Sequence, residues 1–256
     1  MNVEIRSHKN RGTWRVVKRR GQNLVTSKWV LRLKKNADGS IQKYKARLVA
    51  RGFTQIEGVD FDETFAPTSR LQNMRLLLAN AVALNMDVHQ IDYETAYLNA
   101  KLQNDIFMEP PEAMDLLGEE IAPDNALQLN LALYGLKQSG HEWHRVLREA
   151  LKTLGFEQCK VDPTMFVREG DSPAMLLVYV DDILVAAPKG GGIEGVKKEL
   201  LNLFKGTDLG PAHHCLGIRI SRSWEEGTIT LDQERYAKEV LARFGMSDSV
   251  IIMMHI

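Results

Sequence analysis

Cysteine is nearly missing from this 256-residue chain: there are two, Cys159 and Cys215, far apart and outside any CxxC spacing. That excludes a disulfide framework and a zinc knuckle, and it suits a reducing compartment such as the cytosol. No apolar run reaches the ~20 residues that span a bilayer. The longest, around Met175 to Ala187, is broken by two aspartates. The N-terminus, MNVEIRSHKNRG, lacks the apolar core of a signal peptide. No membrane association is expected, and no internal repeat is present. Net charge is also missing, at zero for pH 7, which as a bare sum argues against a nucleic-acid binder.

The distribution of charge argues the other way. Residues 1–55 hold fifteen Lys and Arg against the two acids Glu4 and Asp38, a net of +13, whereas residues 56–125 hold three bases against fourteen acids, a net of −11. Such asymmetry points to polyanion binding by the first segment, with a solvated basic face as the plain alternative.

The opening segment reads as strands and turns. Lys28–Lys34 alternates basic and apolar residues, Asn36–Gly39 is a turn signal, and Tyr44–Phe53 reads as the return strand. Arg70–Leu84 has helical apolar spacing. Asp87–Tyr97 reads as a strand entering a turn, and Asp105–Pro111 as an edge strand ended by prolines. An acidic loop, Gly118–Asn125, leads to the short apolar run Leu127–Tyr134. Glu142–Leu154 and Ile193–Phe204 are amphipathic helices, the first closed by Gly155. Leu216–Ile220 and Thr228–Leu231 read as strands around Glu226-Gly227. Asp232 is placed to cap a last helix, with Tyr236, Val240 and Phe244 on one stripe and its end near Gly245. Helices returning to short, mostly antiparallel strands give α+β architecture.

The chemistry concentrates in Ala174–Ala187, AMLLVYVDDILVAA, where two strand-like apolar runs flank Asp181 and Asp182. A hairpin turn that merely uses Asp is the plain reading. The apolar flanks oppose it, since adjacent carboxylates in low dielectric repel and lose hydration. A divalent cation offsets both penalties. Asp92, in the similar context VHQID, supplies a third carboxylate. Paired magnesium ions roughly 3.5–4 Å apart can clamp the attacking and leaving oxygens of a phosphoryl displacement.

With these motifs in order, the chain resembles the reverse transcriptase domain of copia-type LTR retrotransposon polyproteins from about Trp14 to about Gly245. The landmarks are KWVLRLKKNADGSIQKYKARLVARGFTQIEGVDFDETFAP at 28–67, HQIDYETAYLNAKL at 89–102, LYGLKQ at 133–138, YVDDILV at 179–185 and LGIRI at 216–220. The resemblance implies a right-hand polymerase fold: fingers over 1–85 and 115–145, palm over 86–114 and 146–220, and a truncated thumb or connection over 221–256. It implies an antiparallel palm sheet packed on helices, and two Mg2+ ions, with Mn2+ able to substitute. These would be held by Asp92, Asp181, Asp182 and the backbone carbonyl of Tyr93.

By the same resemblance, Lys45, Arg47 or both hold the triphosphate. Tyr97 sits under the incoming sugar and excludes a 2′-hydroxyl, or is only a core aromatic. Gln138 packs beside the nucleotide, and Leu216 and Gly217 grip the primer end. The implied partners are an RNA or DNA template with primer and dNTPs. The implied setting is a gag-pol type polyprotein with integrase and ribonuclease H, cytoplasmic in virus-like particles or nuclear. No protease, integrase or ribonuclease H sequence is present, so a polyprotein fragment is expected.

Three motifs are set aside. The run His141-Glu142-Trp143-His144 has a spacing of three rather than that of HExxH. His213-His214 reads as a polar loop, and Lys189 followed by Gly190–Gly192 lacks the order of a P-loop. The chain also departs from the family pattern. Ser139-Gly140-His141-Glu142-Trp143 stands where Ala-Pro-Arg-x-Trp is usual. Pro110 replaces a usual Gln, Ala113 and Met114 replace Gly and Phe, and Ser249–Ile256 does not continue the pattern. A catalytically inactive remnant that binds nucleic acid, or a metal-dependent nuclease or phosphohydrolase, therefore stays open.

Overall fold

Strand β10 (Asp182–Pro188) is apolar over nearly its whole length because both of its faces are covered. The computed structural model describes residues 1–35, 40–114, 118 and 121–247. In chain order these form α1 (Asn2–Arg11), β1 (Trp14–Lys18), β2 (Ser27–Lys35), β3 (Ile41–Ala50), α2 (Leu71–Ala83), β4 (Met86–Tyr93), β5 (Lys101–Met108), β6 (Asn125–Leu131), α3 (Ser139–Thr153), β7 (Glu157–Gln158), β8 (Met165–Arg168), β9 (Ala174–Tyr179), β10, α4 (Gly192–Leu203), β11 (Gly206–Pro211), β12 (His214–Cys215), β13 (Ile218–Ser223), β14 (Thr228–Asp232) and α5 (Glu234–Arg243). The chain is thus a mixture of helices and antiparallel sheets, as expected.

The central sheet runs β11-β4-β10-β9-β8-β7, with every pair antiparallel. Side chains alternate between its faces. Ile183 and Val185 join Ile91, Leu176 and Val178 against Trp143 and Leu147 of α3 and Val196 and Leu200 of α4. Leu184 and Ala186 join Leu177 against Met74, Leu77 and Leu78 of α2, with Ile218 and Ile220 of the small β12-β13-β14 sheet. Burying each such aliphatic side chain contributes roughly 1.5–3 kcal/mol.

A second sheet, β1-β6-β5, packs around Ile106, Leu127 and Leu129, and Leu48 and Ala50 of β3 join that core. β2 and β3 form a two-stranded ribbon in which Arg32 pairs with Lys45 and Val30 with Arg47. That register puts the basic side chains on one face.

Several expectations need correction. The opening segment is not all strand, because Asn2–Arg11 is a helix that buries only Ile5 and His8 and closes on Gly12 in the left-handed region. So narrow a buried stripe gives a weak periodic signal. β3 stops at Ala50, where the Arg51 N–H turns to the Thr26 carbonyl and Gly52–Thr54 forms a 3-10 turn. α3 begins at Ser139 rather than Glu142, and β7, β8 and β11 were not anticipated. Asp232 ends β14 instead of serving as the N-cap residue, though its carboxylate still accepts the Glu234 N–H at 3.2 Å. The α5 stripe does not pack: no residue of that helix is buried, and Phe244 is 72% exposed. Gly155 does close α3 in the left-handed region, with its N–H on the Lys152 carbonyl. The Asn36–Gly39 turn, part of the acidic loop 118–125 and the segment 249–256 lie outside the described residues. Among the described residues, no helix is long and apolar enough to cross a membrane.

One joint fixes the ribbon to the body. The Ala50 N–H bonds the Tyr134 carbonyl at 2.7 Å, and the Gly52 N–H bonds the Gly135 carbonyl at 3.1 Å. Gly135 has φ 92°, and a Cβ there would collide with the Ala50 carbonyl oxygen. Gly135→Ala is therefore expected to destabilise the fold by at least about 1–3 kcal/mol. In thermal denaturation that reads as a fall in Tm of about 2–4 °C for each kcal/mol; an unchanged Tm would show that the joint is loose.

Candidate active site

β4 and β10 are neighbours in the middle of the sheet, and their register sets Asp92 opposite Asp182. Directly paired residues project from the same face, so the two carboxylates are adjacent. Gln90, two residues before Asp92 on that face, donates its amide N–H to Asp182 Oδ1 at 2.9 Å. Asp181 sits in the turn between β9 and β10, next to Val180, whose φ of 57° is unusual for a β-branched residue. Two bonds hold this turn: Trp143 Nε1–H donates to the Val180 carbonyl at 2.7 Å, and the Tyr93 N–H donates to the Asp181 carbonyl at 2.8 Å.

Below the turn lies an aromatic clasp. Tyr93, Trp143 and Phe204 meet edge to face with centroids 5.0–5.9 Å apart, and the Tyr93 hydroxyl donates to the Leu200 carbonyl at 2.8 Å. Such packing fixes ring orientation as well as burying area.

Burial pushes the Asp181 carboxyl above its ordinary range and the charge of Asp182 adds to the rise, while Arg47 and Lys45 pull the other way. The two cations of the β3 ribbon therefore face the acids. Two tyrosines accompany them: the Tyr97 and Tyr134 rings lie 4.7 Å apart, and the Arg47 guanidinium sits 4.7 Å from the Tyr134 ring centre. Burial raises the Tyr97 hydroxyl, with Asp181 contributing. Burial also pushes the Tyr134 hydroxyl up to about 12, against the pull of Arg47.

Of the residues selected from the sequence, Asp92 and Asp182 are paired across β4 and β10, and Asp181, in the adjoining turn, is within electrostatic reach of Tyr97, Lys45 and Arg47. Leu216 and Gly217 form the turn between β12 and β13 rather than the start of a strand, with φ of 51° and 77°. Their neighbour Cys215, its thiol pushed up to about 11 chiefly by burial, also senses the Asp182 charge, so this hairpin lies on the Asp182 side. Gln138 is 2% exposed, donates to the Asp60 carbonyl at 2.7 Å and accepts from Gln55 Nε2 at 3.0 Å, which ties two loops together.

Gln90, Tyr134 and Trp143 were missed. Gln90 is legible as the residue two positions before Asp92 on the same strand face. Tyr134 is legible as the aromatic of the LYGLKQ landmark. The role of Trp143 is tertiary and leaves no local signal. The two histidines of HEWH go to separate backbone carbonyls, His141 to Phe65 at 2.9 Å and His144 to Pro163 at 3.1 Å.

Among the described residues, no three His, Cys, Asp or Glu side chains are gathered as a metal site. The chemistry of the donors nevertheless fits a divalent cation, because adjacent hard carboxylate oxygens suit magnesium and the raised Asp181 carboxyl marks incompletely balanced negative charge. A carboxyl whose folded pKa is raised weakens the fold once pH exceeds that pKa, and the penalty fades as pH falls toward the unfolded value. With chelator present, Asp181→Asn is expected to raise Tm at pH 7, the gain shrinking toward zero near pH 4. A gain of the same size at both pH values would mean that charge is not its cause.

Comparison with known proteins identifies the family. The family model described as reverse transcriptase (RNA-dependent DNA polymerase) matches residues 11–256. The chain is 35% identical over 252 residues to the retrovirus-related Pol polyprotein from transposon TNT 1-94 of Nicotiana tabacum, covering 97% of this chain and 19% of that protein. It is 35% identical over 250 residues to the Pol polyprotein from transposon RE1 of Arabidopsis thaliana, covering 96% and 17%. It is also 35% identical over 147 residues to a putative transposon Ty5-1 protein of Saccharomyces cerevisiae, covering 57% and 46%. The chain thus spans less than a fifth of the length of the two plant relatives. The chain belongs to the reverse transcriptase (RNA-dependent DNA polymerase) family.

Proposed function

We propose that the chain is the RNA-directed DNA polymerase unit of a copia-type retrotransposon polyprotein. The observation that carries this reading is the register that sets Asp92 against Asp182, with Asp181 in the adjoining turn facing Arg47 and Lys45. In a right-hand arrangement, residues 1–85 and 115–145 serve as fingers, 86–114 and 146–220 as palm, and 221–256 as a partial thumb or connection. The partners are an RNA or DNA template, a primer and dNTPs. The setting is a gag-pol type polyprotein in cytoplasmic particles or the nucleus.

The reaction is attack of a primer 3′-hydroxyl on the α-phosphate of a dNTP, with release of pyrophosphate. Asp92, Asp181, Asp182 and the Tyr93 carbonyl are the groups that would hold two magnesium ions. Such ions, when bound, activate the attacking hydroxyl and neutralise charge on the phosphoryl group. The protein's own part is positioning. Gln90 orients Asp182, and Trp143 and the Tyr93 amide fix the turn that presents Asp181. Lys45 and Arg47 receive the triphosphate by charge-assisted hydrogen bonds. Tyr97 lies under the sugar, where its ring excludes a 2′-hydroxyl. Backbone contacts from the basic ribbon make nucleic-acid binding fall with salt.

Primer extension on poly(A)/oligo(dT) with magnesium or manganese tests the reading. Extension by the intact chain is expected, with a loss of at least about a thousandfold in Asp92→Asn or Asp181→Asn. No incorporation by well-folded protein means an inactive remnant, and shortening of the strand means a nuclease. A separate test concerns the sugar. Tyr97→Ala is expected to use ribonucleotides far more readily, and an unchanged preference for dNTPs removes Tyr97 from that role.

A further inference from the structure

Between Arg47 and Tyr97 stands Tyr134, a side chain that the reaction described above does not use. Its backbone is fixed, since its carbonyl accepts the Ala50 N–H at 2.7 Å and the next residue is locked against β3 by a glycine that admits no side chain. Its ring meets the Arg47 guanidinium at 4.7 Å on one side and the Tyr97 ring at 4.7 Å on another.

A guanidinium resting on an aromatic face is held by the ring's quadrupole. It keeps its in-plane N–H donors for another acceptor, which an ion pair with a carboxylate would occupy. The ring contact thereby fixes where Arg47 points. The same ring packs against the Tyr97 ring at a tilt of 59°, so the two contacts move together.

We infer that Tyr134 is a positioning residue: its ring holds the Arg47 guanidinium toward the incoming triphosphate and braces the Tyr97 gate, so that phosphate binding and sugar discrimination share one support. The inference rests on the polymerase reading and adds a residue to it. It does not require the Tyr134 hydroxyl, only the ring.

The test uses the full chain with magnesium, a primer–template ended by a dideoxynucleotide so that no chemistry follows, and dTTP as the probe. Stabilisation of the complex by dTTP in thermal melting reports affinity without turnover. Tyr134→Leu is expected to weaken dTTP binding about two- to thirtyfold, the range of a cation–π contact, and to bring UTP binding closer to that of dTTP. Tyr134→Phe, which keeps the ring, is expected to recover most of the loss. In an Arg47→Gln background, Tyr134→Leu should cost little further affinity. An equal penalty in both backgrounds, or a Phe variant as damaged as Leu, overturns the inference, as does a wild-type chain that binds no dTTP. A wild-type chain that binds dTTP but fails to extend an ordinary primer refutes the polymerase reading and leaves the Tyr134 result readable.

Discussion

The pairing of β4 with β10 is the constraint on which the rest depends. Side chains alternate along a strand, so a slip of one residue would carry Asp92 to the opposite face and into the aromatic clasp of Tyr93, Trp143 and Phe204. The register is held from both sides. Ile91, Ile183 and Val185 are fully buried against α3 and α4, while Leu184 and Ala186 pack toward α2. The Tyr93 hydroxyl and the Trp143 indole then tie the last residues of β4 and the turn before β10 to backbone carbonyls. The acids are therefore adjacent because the apolar residues beside them have nowhere else to go, and the raised Asp181 carboxyl reflects chiefly its burial in the same setting, with the Asp182 charge adding to it.

The second organising feature is the meeting of basic and acidic groups from distant parts of the chain. A chain of zero net charge carries +13 in its first 55 residues and −11 in the next 70, and the fold brings the basic ribbon to the acids of the central sheet. Arg47 and Lys45 act on Asp181 through space. The Tyr97–Tyr134 pair gives Arg47 an uncharged surface to rest on.

What was legible in the sequence follows from where each signal is stored. The strands around Asp181 could be read because burial on both faces turns them into continuous apolar runs, and the helix Leu71–Ala83 because its apolar residues repeat at helical spacing. α1 could not be read so, since only Ile5 and His8 of its ten residues are buried. β11 includes Gly206, Gly210 and Pro211 and exists as an edge strand because β4 offers a partner. Asp92, Asp181 and Asp182 were found because carboxylates flanked by apolar runs are chemically odd. The hydrogen bonds of the Gln138 side chain to Asp60 and Gln55 are a tertiary fact that no local pattern contains.

The same distinction bears on the segment after Gln138, where the chain leaves the family pattern. Ser139 is buried, and its hydroxyl donates to the Leu133 carbonyl at 2.6 Å. Gly140 lies where a Cβ would come within 2.9 Å of Ala66, so the absence of a side chain there is accommodated by close packing. Glu142 is a buried acid, but Arg145 pairs with it at 2.7 Å. Ser139 and Gly140 thus have their own local accommodation at the start of α3, and His141 is bonded to the Phe65 carbonyl at 2.9 Å. The residue of that stretch that reaches the site is Trp143, which is retained and holds Val180. A defect in this segment would have to act by moving Trp143, and the turn carrying Asp181 would move with it. The bond from the Trp143 indole to the Val180 carbonyl is therefore the link by which those substitutions could bear on catalysis.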